Sequence, residues 1–166
     1  MGKRNGLPPA PLEKGPRTGD NTGDMKIAVI DGMGGGIGSQ LTARLAEEIG
    51  AKAEIIALGA NATATDRMLK AGASRGASGE NAVRVTLREA DIVTGPLGII
   101  VPDAMMGEIT PGIAQAVFLC RGEKFLVPTP QQHFTLIGWE PRPMAQLISA
   151  AVERIKARLA EMDGGS

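Results

Sequence analysis

The first regular pattern in the chain is Lys26-Ile27-Ala28-Val29-Ile30. Its apolar residues are continuous rather than alternating, as in a strand covered on both faces of a parallel sheet. Beyond a glycine-rich stretch, Ile37, Leu41, Leu45 and Ile49 recur every fourth position with Gln40, Arg44, Glu47 and Glu48 between them. That stripe predicts a helix packed on a sheet, stopped by Gly50. Ile55-Ile56-Ala57-Leu58 predicts a second buried strand, and Thr63 with Asp66 three residues on reads as a capping box for a short helix ending at Gly72. The stretch 78–90 fits two patterns. Val83 to Leu87 alternates like an edge strand, yet Asn81, Arg84 and Arg88 share one helical face with Ala82, Val83, Thr86, Leu87 and Ala90 opposite, and the helix is preferred. A strand Asp91-Ile92-Val93-Thr94 then ends at the turn Gly95-Pro96-Leu97-Gly98. Thr110-Pro111, a cap followed by proline at the first helical position, opens a helix running toward Leu119. A strand Phe125-Leu126-Val127, a last short strand Thr135-Leu136-Ile137 and a helix from Pro143 to Glu161 complete the pattern. In that helix Leu147, Ile148, Ala151, Val152, Ile155 and Leu159 form the inward stripe.

Strands alternating with helices, the strands largely apolar, predict an α/β, Rossmann-like fold: a doubly wound, mainly parallel sheet of about five strands in three αβα layers. Ligands of such sheets bind at the carboxyl ends of the strands, where strand order reverses. A chain of 166 residues suits one domain, here 25–162. Residues 1–24 hold Pro8, Pro9, Pro11 and Pro16 and no apolar period, so they are expected to be a disordered tail; 163–166 are expected to fray.

Charge narrows the function classes. Eighteen basic and eighteen acidic side chains cancel, and with three Phe, one Trp and no Tyr there is neither a field nor a stacking platform for nucleic acid. No apolar run approaches the roughly 18–20 residues of a membrane span, and no charged start leads into a signal core, which points to a cytoplasmic protein away from membranes. The lone Cys120 cannot form an internal disulfide and reads as an apolar filler in Val117-Phe118-Leu119-Cys120.

The chemistry concentrates in Asp31-Gly32-Met33-Gly34-Gly35-Gly36-Ile37-Gly38, directly after a strand and directly before a helix. Glycines there permit positive φ, let backbone approach a phosphate without an intervening Cβ, and bring free amides and the positive helix end to an anion. The spacing resembles the Gly-x-x-x-Gly-Ile-Gly turn of short-chain dehydrogenases. Those enzymes move protons through a Tyr and a Lys four apart, and a chain without tyrosine cannot do that chemistry. The second strand also ends Leu58-Gly59-Ala60-Asn61, without the acid that holds an adenosine ribose in NAD sites. An NADP-type cofactor or a mononucleotide remains, with Asn61, Thr63 and Thr65 able to bond sugar or phosphate, although Thr63 equally suits a helix cap. Asp31 beside a phosphate would be repelled by about 4 kcal/mol at 4 Å and an effective dielectric near 20. It is therefore expected to accept glycine amides or a ligand hydroxyl, ahead of carrying a metal or acting as a base.

Two further loops could complete the site. In Ala73-Ser74-Arg75-Gly76-Ala77-Ser78-Gly79-Glu80-Asn81 the obvious anion contact is Arg75, on the expectation that the loop lies at the carboxyl side of the sheet; Glu80 and Asn81 equally suit the first turn of the next helix. The loop containing Gly95 and Gly98 leaves the strand expected beside the first one and would face the glycine turn across a crevice. Asp31, Asp103 and Glu108 could form an acidic cluster for a divalent metal, though their spacing does not demand it. His133, with no second ligand at metal spacing, suits a surface or structural role.

The segments MKIAVIDGMGGGIG, IIALGANATAT, KAGASRGASGENA and ADIVTGPLGIIVPDAMMGEITP span residues 25–112. Together they resemble an uncharacterised family of small bacterial proteins catalogued only as a domain of unknown function. The resemblance implies a Rossmann-like bacterial cytoplasmic protein with these three loops as its hallmark. The candidate binding residues are therefore Asp31, Gly32, Gly34, Gly35, Gly36, Ile37, Gly38, Asn61, Arg75, Gly95 and Gly98, around a nucleotide or other small phosphate-bearing ligand. Two other readings stand beside it: a non-catalytic regulatory or scaffold subunit that forms a homo-oligomer, and a metal-dependent enzyme using Asp31, Asp103 and Glu108.

Overall fold

Ile27 and Val29 point to one face of the sheet and Ala28 and Ile30 to the other, all four fully buried, which is why the first strand is apolar throughout. The computed structural model describes residues 25–130 and 134–164. Five parallel strands form one sheet in the order β3-β2-β1-β4-β5. They are β1 (Met25–Asp31), β2 (Ala53–Gly59), β3 (Arg75–Ser78), β4 (Ile92–Pro96) and β5 (Glu123–Val127). The helices between and after them are α1 (Gly36–Ile49), α2 (Ala62–Lys70), α3 (Glu80–Thr86), α4 (Pro111–Leu119) and α5 (Met144–Asp163). One core joins Ile27, Val29, Ile55 and Ile92 to Leu41 and Leu45 of α1, Met68 of α2, and Ile148, Val152 and Ile155 of α5. The opposite core joins Ala28, Ile30, Ile56, Leu58 and Val93 to Val83 and Leu87 of α3 and to Ile113 and Val117 of α4. The result is the doubly wound, three-layer α/β fold expected, with α1, α2 and α5 on one face and α3 and α4 on the other. Among the described residues no helix is long and apolar enough to cross a membrane.

Strand order reverses at β1. The chain steps outward through β2 and β3, then crosses back so that β4 pairs with β1, Ile27 opposite Ile92 and Val29 opposite Thr94. Strand β4 thus lies beside β1 as expected, and their carboxyl ends open a crevice.

Three local expectations are corrected. Residues 135–137 form no strand: Leu136 and Ile137 are exposed, and the sheet ends at β5. Its fifth place belongs to Arg75–Ser78, expected as loop; that edge strand is small and polar with three of four residues exposed, so it carries no apolar signal. The cap of α2 is Asn61, whose Oδ1 accepts from the Ala64 amide at 2.8 Å, rather than Thr63. Asp66 instead pairs with Lys70 one turn on, at 2.7 Å. The predicted cap of α4 is present: the Thr110 hydroxyl accepts from the Ile113 amide at 3.1 Å, with proline following.

Candidate functional site

After Asp31 the chain turns through Gly32–Gly35, closed by a hydrogen bond from the Gly35 amide to the Gly32 carbonyl at 2.9 Å, before α1 begins. Met33 and Gly35 sit at φ +50° and +67°. At Gly35 the positive φ coincides with close packing, since a Cβ there would lie 2.8 Å from Ala64 Cα of α2. The turn is therefore pressed against the start of α2.

Asp31 is 4% exposed. Its Oδ1 accepts from the Gly32 amide at 2.8 Å and its Oδ2 from the Gly38 amide at 2.7 Å, so the carboxylate caps α1 from within the protein. Burial raises its pKa, and the Gly38, Gly32 and Ile37 amides and the charge of Arg67 offset that only in part. The expectation that Asp31 would hold the glycine amides is met. It removes Gly32 and Gly38 from the residues free to receive a ligand, although Gly32 still lines the site.

The amides of Gly34 and Gly36 have no protein acceptor among the described residues. A Cβ at either position would stand 3.8 or 3.9 Å from Arg67 Nη1, which also donates to the Gly34 carbonyl at 3.1 Å. Arg67 is thus the cation of the glycine turn, a role the sequence reading gave to Arg75. The sequence held a weak signal for it: Ala64 and Met68 face inward on α2, and Arg67, three residues after Ala64, leans along the same flank toward the turn. Arg75 lies on β3 opposite Ile56, and its Nε donates to Glu54 at 2.6 Å. That pairing turns it toward the amino end of β2, away from the cleft.

Residues 101–110 fold over the turn as a lid. Asp103, Met105 and Met106 adopt φ of +62°, +57° and +59°, followed by Gly107 at +88°, and left-handed backbone costs a non-glycine residue about 1 kcal/mol or more. Glu108 fastens the lid: its Oε2 accepts from the Met33 amide at 2.6 Å and from Asn61 Nδ2 at 2.8 Å. Asn61 Nδ2 donates also to the Met33 carbonyl at 2.9 Å. With Oδ1 on α2, the whole Asn61 amide is engaged in joining three loops, not held open for a sugar. The sequence marked Glu108 only as a candidate metal ligand, and nothing in it signals this fastening role, 75 residues from the amide it fixes. Gly32 needs its missing Cβ here, since one would lie 2.8 Å from Met105 Sδ and 2.9 Å from Glu108 Oε2.

Between turn and lid lies a cleft of about 600 Å³, within the range of small-molecule sites. It is lined by Asp31, residues 32–37, Pro96, Gly98, residues 101–106, Thr129 and Pro130. Most of the candidate residues therefore meet at one place: Asp31, Gly32, Gly34, Gly35, Gly36, Ile37 and Gly98. Gly95 lies within β4 instead, where a Cβ would collide with the Ile30 carbonyl of β1, so its role is strand packing. Asp31, Asp103 and Glu108 do not come together: among the described residues no three His, Cys, Asp or Glu are grouped to hold a metal ion, because two of these carboxylates face backbone amides. Glu80 is also engaged, accepting from the Thr110 hydroxyl at 2.5 Å at the start of α4. Cys120 is buried, its thiol pKa raised by burial, as suits an apolar filler. His133 and the tail 1–24 lie outside the described residues.

No curated protein and no solved structure matches the chain. One family model does, from the second residue of β1 almost to the end of α5, well beyond the segments that carry the resemblance in sequence. The chain belongs to the family described as Domain of unknown function (DUF3842), matched over residues 26–160.

Proposed function

We propose that the protein binds a nucleotide or another phosphate-bearing small molecule in the cleft between the glycine turn and the lid, with the phosphate at Gly34 and Gly36. The observation that carries this reading is the pair of unpartnered amides at Gly34 and Gly36 beside the Arg67 guanidinium, set at the carboxyl end of β1 where strand order reverses. Amides without a Cβ in the way and a cation behind them are what a phosphate oxygen requires. The cleft beside them is large enough for the rest of a metabolite. A thermal-shift panel of nucleotides, nicotinamide cofactors and sugar phosphates tests it. A ligand at 100 times its dissociation constant adds about 2.7 kcal/mol, or roughly 5–10 °C for a domain of this size. If no phosphate-bearing compound moves the midpoint, the reading is lost.

A second reading, a homo-oligomeric scaffold subunit, has its own support. Phe118 on α4 is 66% exposed and Ile137 95%, large apolar side chains that a second copy of the chain would cover. Light scattering on the full chain tests it: a monomer at micromolar concentration contradicts it.

A further inference from the structure

The few charged groups around the cleft and its largely apolar lining limit what fits. Asp31 and Asp103 are the ionisable residues among its described lining, and no lining residue is basic. Arg67 acts from behind the turn, through Gly34. Asp31 already occupies the Gly32 and Gly38 amides, and Glu108 the Met33 amide, so the protein's own carboxylates take most of the turn's donors. A diphosphate would bring two charged groups into a cleft offering two amides and one cation, with the carboxylates of Asp31 and Asp103 in its lining, and would be repelled accordingly. The rest of the lining is largely apolar: Ile37, Pro96, Val101, Met105, Met106 and Pro130. Methionines adapt to flat rings of differing outline.

Building on the phosphate reading above, we infer that the occupant is a nucleoside monophosphate: one phosphate at Gly34 and Gly36, its ring against the methionine wall. A dinucleotide and a bare sugar phosphate are both disfavoured, the first by charge and by Asp31, the second because it leaves the apolar wall uncovered.

The test is calorimetric titration of the full chain with AMP, GMP, CMP and UMP, the matching nucleosides, ribose 5-phosphate, NAD and NADP. The tightest monophosphate is expected to bind at least about tenfold more tightly than ribose 5-phosphate and than either dinucleotide. Gly34→Glu, whose side chain has room beside Arg67 and would pair with it, is expected to abolish that binding with an unchanged thermal midpoint. NAD or NADP binding as tightly as the best monophosphate overturns the inference while the phosphate reading survives; ribose 5-phosphate doing so has the same consequence. Nucleosides binding as tightly as their monophosphates, or no compound binding at all, overturns the phosphate reading itself and the inference with it.

Discussion

Two stretches of this chain are equally rich in small residues, Gly32–Gly38 and Ala73–Asn81, and they end in opposite roles. The first follows a strand with neighbours on both sides and opens onto the crevice between β1 and β4. The second contributes the edge strand β3, where a Cβ on Gly76 would meet Thr65 Cγ2 at 2.9 Å and the Ala57 carbonyl at 3.0 Å. Glycine leaves amides open to the cleft in one and permits strand-to-helix packing in the other. What separates them is position in the sheet, since both offer flexible backbone. The distinction also falls inside the first stretch. Gly38 is packed against Met68 and Asp31, whereas Gly34 and Gly36 face open space and Arg67.

Substitutions at these positions test the contrast. The largest effect is expected from Gly38→Ala, whose Cβ would meet Met68 Sδ at 2.7 Å and Asp31 Cβ at 2.8 Å. A loss of about 2–4 kcal/mol by urea unfolding is expected, against less than about 0.5 kcal/mol for Gly34→Ala, at an open position that should lose ligand instead. Equal losses at the two positions would erase the division between packing and binding glycines.

Next in size is Glu108→Ala, which leaves the Met33 amide and Asn61 Nδ2 without their shared acceptor. About 1–3 kcal/mol should be lost, and amide exchange should quicken across 101–110 while β3 keeps its protection. Uniform loss of protection would contradict the lid's attachment through this one residue.

Asp31 gives the first stretch a pH signature. Its pKa is raised by burial, so the native state holds the proton more tightly than the unfolded chain. The corresponding stability is fully present below the unfolded value near 3.8 and is lost as pH rises through the higher native value. Asp31→Asn should remove that component. The difference between the two proteins' urea midpoints should therefore change with pH across this window; a constant difference from pH 4 to 7 would refute a raised native pKa.

The smallest effects distinguish the two arginines. Arg75→Ala removes an exposed ion pair with Glu54, and a stability change within about 0.5 kcal/mol with ligand affinity unchanged is expected. Arg67→Ala should be equally mild for stability but weaken anion binding about tenfold, the scale of one charge-assisted contact. The reverse ranking in a calorimetric titration would restore the second stretch as the anion site.

The legible and illegible parts of this molecule divide along the same physical line. Strands β1 and β2 announced themselves because burial on both faces leaves no polar alternation, and α1 because only one of its faces meets the sheet. Neighbouring placement of β4 and β1 followed from α/β topology, and with it the crevice. Strand β3 was hidden because an exposed edge needs no apolar residues, while Thr135-Leu136-Ile137 imitated a strand without a neighbour to pair with. In the site, the glycine turn and Asp31 were readable from local order. Arg67, Glu108 and the capping role of Asn61 depend on contacts spanning 33, 75 and 47 residues or on a choice between adjacent caps, which composition does not record.

We propose that the glycine turn, and not the small-residue stretch around β3, receives the ligand. Titration of ¹⁵N-labelled protein with the tightest-binding nucleoside monophosphate, followed by amide chemical shifts, tests it directly. Saturable shifts are expected at Gly34 and Gly36 and along 101–106, with Arg75, Gly76 and Ala77 unmoved. Shifts centred on residues 73–81, with Gly34 and Gly36 unchanged, would contradict it.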